Sequence, residues 1–331
     1  MVNVIRIILP KIGLVIIFNA FCCLVFAQET TSAVAKTYLF EYLDIVQKRS
    51  INRGSIDWEE FETVLFDAAK NAQTVEETYP AIKKSLKLLE DGHSFLMTAQ
   101  ETDEWKRPEN SEEIKDTIPG PVPYGKLIDG VGYINLPWFH SGNERSCQLF
   151  ADTLLSVIRT LDKGKLKGWI VDLRGNLGGN NWPMHAGISP LYTNDIIGAY
   201  VYPNGETKNW TVRENAVYDN DSIIGRTSEA YTLKNKNLPI AVLIDRSTAS
   251  SGETVLVSFI GEKNAKTFGQ PSWGSTTCND LFPLSDGAQL LLTVAVYADR
   301  NGKSYNGPIK PDVLIENEQV VQEAIRWINE Q

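Results

Sequence analysis

The stretch Leu238–Glu253, LPIAVLIDRSTASSGE, constrains the fold more than any other part of the chain. Ile240–Ile244 is a short, branched, wholly apolar run with the length of a buried strand. Asp245-Arg246 stops it. The small residues Ser247 to Gly252 follow, and Glu253 leads into the apolar-rich segment Thr254–Ile260. The order is strand, tight turn, helix. Three hydroxyls (Ser247, Ser250 and Ser251) fall where the turn meets the helix start, beside backbone amides with no intrahelical partner. Such amides stabilise an oxyanion, so the turn suits a serine nucleophile. The same residues also suit a plain N-cap, and this stretch alone leaves both readings open.

The rest of the chain alternates in the same way. Gly130–Leu136 and Gly168–Leu173 read as strands, the second buried, and Asn143–Leu161 is an amphipathic helix between them. Strand, helix, strand, then the Leu238 strand and its helix, predicts an α/β core with at least partly parallel pairing. Before it, residues 28–92 carry helical spacing (Tyr38, Leu39, Tyr42, Leu43, Val46), a capping box opened by Asp57 and Glu60, and a third helix over Glu76–Leu89. The expected organisation is a small N-terminal helical region, residues 28–92, and a core domain, residues 93–331. A polar, proline-rich flap spans residues 98–123. Further strands are expected in the hairpin around Pro203-Asn204-Gly205, at Thr267–Gly269, Gln289–Tyr297 and Val313-Leu314, with a closing helix over Glu318–Ile328.

Residues 1–27 have the grammar of a leader: basic Arg6 and Lys11, an apolar run Ile12–Phe26, and small residues at Val25 and Ala27. Cleavage after Ala27 and export to the periplasm, cell envelope or exterior are expected; the apolar run also permits an uncleaved anchor. The formal charge is −9, becoming −11 once Arg6 and Lys11 leave with the leader. That balance argues against a nucleic-acid partner and mildly favours cationic peptides. Cys22 and Cys23 also leave, so Cys147 and Cys278 could form one disulfide in an oxidising compartment.

Two further segments can carry chemistry. Gly92 ends a helix and presents His93, one of three histidines with His140 and His185, on the turn that follows. A surface C-cap histidine is the competing reading. After Leu173 comes RGNLGGNN, Arg174 to Asn181, a glycine-rich turn at the end of a core strand, where open α/β sheets bind ligands. Its spacing is neither a dinucleotide fingerprint nor a phosphate loop. Its amides suit an oxyanion hole, or it is a tight turn only. Neither G-x-S-x-G around Ser250 nor H-E-x-x-H occurs. No metal or cofactor is called for.

The strings DGHSF (Asp91–Phe95), IVDLRGNLGGN (Ile170–Asn180), TASSGE (Thr248–Glu253) and NGPIKPDV (Asn306–Val313) occur in one order. Together they resemble the C-terminal-processing, or tail-specific, serine peptidase family, within it the tricorn-core and nisin-resistance-protein branch. The likeness runs from about His93 to Val313. It implies a mixed-sheet α/β core of the ClpP/crotonase-like kind, with no PDZ domain in the roughly 75 residues after His93. It implies Ser250 as nucleophile, with Ser251 and one of Gly178 or Gly179 supplying the oxyanion hole. Many relatives place a lysine base about 25 residues past the serine, and Ser275 stands in that slot. The branch lacking the lysine uses a histidine, which here is His93. Asn306 falls where that branch has a glutamate to orient the base; Asp91, Glu253 and Asp299 are the rivals. Asn181 and Trp182, with Met184, are expected to line the cleft, with core packing as the alternative for Trp182 and Met184.

The expectation is an exported serine endopeptidase acting on peptide or protein substrates, cutting near their C-termini. A non-catalytic peptide- or ligand-binding member of the same fold is one rival; an immunity peptidase against a cationic antimicrobial peptide is another. The presence of both Ser250 and His93 favours catalysis.

Overall fold

The computed structural model describes residues 30–106, 117–193, 195–316 and 318–331. The expected leader and the middle of the flap, residues 107–116, lie outside the described residues. Among the described residues no helix is long and apolar enough to cross a membrane.

Three helices come first. Ser32 caps α1 (Ala33–Arg49) by accepting from Ala35 N–H, and Asp57 caps α2 (Trp58–Ala68) through the Glu59 and Glu60 amides. Such caps contribute about 1 kcal/mol each. The expected helix over 76–89 is broken: α3 (Tyr79–Ser85) is its only α-helical part, flanked by 3-10 turns. Tyr42, Phe61, Leu65 and Ile82 interlock as the core of this region.

β1 (Phe95–Met97) follows the Gly92 turn, and α4 (Ala99–Lys106) comes next. The helix corrects the expectation of loop throughout the flap. Thr98 and Glu101 form a reciprocal capping box, with Glu101 N–H on Thr98 Oγ1 (3.2 Å) and Thr98 N–H on Glu101 Oε2 (2.7 Å). Directly after the flap, β2 (Tyr124–Ile128) pairs antiparallel with β3 (Val131–Asn135). Asp129 and Gly130 make the two-residue turn, both at positive φ, as an Asp-Gly hairpin requires.

The core then builds two sheets. α5 (Glu144–Leu161) leads to β4 (Gly168–Asp172), and α6 (Asn181–Ile188) follows the glycine turn. Strands β5 (Ile196–Val201), β6 (Thr207–Arg213), β7 (Ala216–Asp219) and β8 (Ser222–Arg226) form an antiparallel meander. β9 (Ile240–Ile244), α7 (Ser251–Phe259) and β10 (Ala265–Gly269) are the strand–turn–helix unit and its successor. β11 (Thr277–Pro283), β12 (Gln289–Ala298), β13 (Ser304–Tyr305), β14 (Val313–Leu314) and α8 (Val320–Asn329) complete the chain.

One sheet has the order β14-β10-β9-β4-β3-β2, parallel except for β2. The other has the order β1-β12-β5-β6-β7-β8, with β11 and β13 also paired to β12. The two-residue alternation of β9 divides its side chains between two cores. Ile240, Val242 and Ile244 face the main core, whereas Ala241 and Leu243 lie under α8 with Phe268, Ile325 and Ile328. At about 1.5–3 kcal/mol per fully buried aliphatic side chain, this two-sided burial fixes the strand's position and register. The helical region is tied to the second sheet. Tyr38 and Tyr79 hydroxyls both donate to Asp286, in the turn between β11 and β12, and Ile51 N–H bonds Thr293 O on β12.

Candidate active site

The turn after β9 is held from four directions. Asp245 Oδ1 accepts from Ser247 N–H and from Gly175 N–H of the neighbouring turn. The fully buried Thr248 donates its hydroxyl to Leu173 O at the end of β4. Ala249 N–H bonds Asn176 O. Glu253, also fully buried, reaches back to accept from Ser250 N–H at 2.9 Å. Pulled between these anchors, Ser250 adopts φ +49° and ψ −115°, a conformation that strains a side chain bearing a Cβ. The result is a sharp strand-to-helix elbow made without flanking glycines on the G-x-S-x-G pattern.

Glu253 depends on a surrounding cage. Its Oε1 accepts from Ser272 Oγ (2.5 Å) and Gly274 N–H (2.8 Å), with Ser275 N–H adding a further bond. Burial pushes its carboxyl above the usual range while these bonds pull it down. The segment holding the Ser275 slot therefore wraps the glutamate beneath the elbow.

His93 faces the serine. Its Nε2 lies 3.1 Å from Ser250 Oγ, and its Nδ1 lies 2.8 Å from Thr277 Oγ1. Asp91 Oδ1 accepts from the His93 and Ser94 amides, and its Oδ2 accepts from the Ser94 hydroxyl, so the carboxylate pins the turn. Burial lowers the His93 pKa below its ordinary value, partly opposed by the Asp91 charge. A neutral imidazole next to a hydroxyl can accept a proton near pH 7.

The glycine turn lies against the elbow. A Cβ on Gly178 would stand 2.8 Å from Ser250 Cβ and 3.0 Å from Ser251 N. Asn176, fully buried, organises the turn: its Nδ2 donates to Leu136 O and its Oδ1 accepts from Gly178 N–H at 2.9 Å. The Gly178 amide is thus already engaged. The Gly179 and Ser251 amides have no hydrogen-bond partner among the described residues. Ser251 donates its hydroxyl to Gly179 O, joining the two segments.

Not every expected residue gathers here. Asn306 is exposed and lines a depression with Thr267, Tyr305 and Asp312; no hydrogen bond joins it to His93. The Nδ1 partner is Thr277, which corrects the assignment of Asn306 as orienter. The rivals serve elsewhere: Asp299 accepts from Tyr305 Oη and the Asn301 amide, Glu253 holds the elbow, and Asp91 contacts the backbone of His93 rather than its ring. Asn181, 8% exposed, opens α6. Trp182 packs among His185, Tyr200 and Trp210, the core alternative for that residue, and Met184 is fully buried. His185 is fully buried between Tyr192 Oη and Thr254 Oγ1, and burial takes its pKa down to about 3. His140 stacks on Trp138 beside the glycine turn. Cys147 and Cys278 are both free thiols, so the disulfide that the sequence permits is not formed. Cys147 is engaged with Ser141 O and Asn180 on the α5–α6 side, whereas Cys278 is buried on β11. Among the described residues no three His, Cys, Asp or Glu side chains cluster as a metal site.

Thr277, Asn279 and Asn176 were not singled out from the sequence. A threonine in a strand reads as ordinary β composition, and nothing local marks it. Asn176 carried a signal, since an asparagine directly after a glycine in a turn commonly bonds its own backbone.

Residues 130–315 match the model of peptidase family S41. The chain is 34% identical over 278 residues to the nisin-resistance protein of Lactococcus lactis subsp. lactis, covering 84% of this chain and 81% of that protein. It is 28% identical over 204 residues to the carboxy-terminal processing protease CtpA of Bacillus subtilis, covering 61% of this chain and 39% of that one. The chain therefore spans less than half the length of that processing protease. A solved structure of a lipoprotein from Streptococcus agalactiae superposes with a TM-score of 0.74 at 26% identity, over 90% of this chain and 97% of that one.

Proposed function

Because the chain belongs to peptidase family S41 and is a serine peptidase by that membership, we propose that Ser250 and His93 form its catalytic pair. The observation that carries this reading is the 3.1 Å contact between Ser250 Oγ and His93 Nε2 at a strained elbow. Ser250 attacks the scissile carbonyl carbon, and His93 Nε2 takes its proton. The tetrahedral oxyanion sits on the Ser251 and Gly179 amides. His93 then returns the proton to the leaving amine, and water reverses the sequence to release the acyl group. Ser275 in place of a lysine leaves the base role to His93. Asn181, which opens α6 directly after the glycine turn, is the proposed substrate-binding residue. Residues 1–27 act as the leader, residues 28–92 form the helical region, and residues 93–331 form the peptidase domain.

Two substrate classes fit. Cleavage near peptide C-termini follows the processing relatives. The 81% coverage of a nisin-resistance protein, with the net charge of −11 after leader removal, favours a cationic antimicrobial peptide such as nisin. The test is mass spectrometry of digests of nisin and of neutral peptides with free or amidated C-termini. Preferential cutting of nisin supports the second class. Cutting that requires a free C-terminus supports the first. A protein that cleaves neither and binds peptides tightly contradicts the peptidase reading.

A further inference from the structure

We infer that Thr277 is the positioning residue for His93, a neutral hydroxyl standing where a carboxylate or amide would complete a triad. The inference rests on the catalytic pair proposed above and goes beyond it. Every polar group of His93 is engaged. Its N–H goes to Asp91 Oδ1, its carbonyl accepts from Asn279 Nδ2 at 2.8 Å, Nε2 faces Ser250, and Nδ1 meets Thr277 Oγ1 at 2.8 Å. Two of the four partners, Thr277 and Asn279, stand two residues apart on β11. That strand grips the histidine at its ring and its backbone together.

The pairing with β12 explains the grip. Cys278 pairs with Ala295 but Asn279 pairs with Thr293, so one residue of β12 is passed over between them. Such an irregularity bends the ribbon and re-aims side chains. Thr293 in turn donates its hydroxyl to Asn279 Oδ1 at 2.8 Å and its N–H to Ser94 Oγ at 2.9 Å. Thr277 itself is 7% exposed, so water does not easily replace its hydroxyl.

The chemistry follows from the tautomer. His93 takes a proton at Nε2 only if Nδ1 carries the ring hydrogen, and Thr277 Oγ1 is the acceptor that holds it there. A hydroxyl orients the ring but brings no charge to the imidazolium. Among the charged groups, Asp91 is the one that acts on the ring, and its oxygens are committed to the turn. From β12, Tyr297 lies beside Ser250 as a protonated phenol.

The test uses ring ¹⁵N shifts of His93 in the Ser250→Ala protein, read without any turnover, together with kinetics of Thr277→Val and Thr277→Ser. The Nδ1–H tautomer is expected with Thr277 intact and a mixed population in Thr277→Val. In turnover, kcat is expected to fall about tenfold in Thr277→Val, the worth of one hydrogen bond, with KM unchanged and Thr277→Ser restoring most of the loss. An Nε2–H tautomer in the protein with Thr277 intact overturns the inference even if the valine variant does not fold. So does Thr277→Val with unchanged kcat and tautomer. If the protein cleaves no peptide, the shifts still decide the role of Thr277, and the catalytic reading fails separately.

Discussion

At the scale of single residues, the proposed chemistry depends on one contact and on the protonation state of one ring. His93 works as a base only when neutral. Burial holds its folded-state pKa below 6.5, so kcat/KM should be flat at neutral pH and fall as the pH drops through a midpoint below 6.5. A pH profile on a fluorogenic peptide checks this; a midpoint above 7 would contradict the buried, weakly assisted imidazole. Both members of the proposed pair, which the fold brings into contact, carry a signal in the sequence: a glycine turn presents His93 and the family motifs mark Ser250. The orienting partner carries none. Asn306 occupies the family's slot in sequence, yet the fold leaves it exposed, and the hydroxyl at Nδ1 comes from a strand where threonine is unremarkable. Ring contacts made across sheets have no local spacing to betray them.

At the scale of elements, the site is the meeting of two turns on adjacent parallel strands, and Asn176 joins them. Asn176→Ala removes the acceptor for Gly178 N–H and the donor to Leu136 O inside a dry core. Each group left unpaired costs about 1–3 kcal/mol, so urea denaturation should show a loss of that order and kcat should fall with it. Gly179→Ala should be still more disruptive to the turn. Its φ is +110° and the new Cβ would stand 2.1 Å from Phe139 O; loss of activity in a protein with near-native circular dichroism is the expected outcome. The buried strands were readable because a wholly apolar run admits few alternatives. The helix inside the expected flap and the Asp129-Gly130 hairpin each carried a recognisable short signal, the Thr98–Glu101 box and the Asp-Gly pair. A polar, proline-rich composition outweighed the first; the second lies beyond that segment, next to the strand expected from Gly130.

At the scale of the whole molecule, the proposed nucleophile and base come from different sheets. Ser250 stands on the mostly parallel sheet, whereas His93 is held by β11 and β12 of the antiparallel one, and the helical region braces the turn between those two strands through Asp286. Stability at low pH should depend on His185. Its folded pKa of about 3 lies below the unfolded value near 6.5. The unfolded chain therefore binds the extra proton between those values, and stability falls as pH drops through that window, by about 1.4 kcal/mol per unit. His185→Gln should flatten the dependence of denaturation midpoint on pH between 6 and 4; an unchanged slope would assign it to other groups. The central claim, that Ser250 is activated by His93 and by no lysine, is tested most directly by labelling with a fluorophosphonate probe at pH 7.5. Labelling of the unaltered protein is expected, and none of Ser250→Ala or His93→Ala, each still folded by circular dichroism. Undiminished labelling of His93→Ala, or of Ser250→Ala, would contradict it.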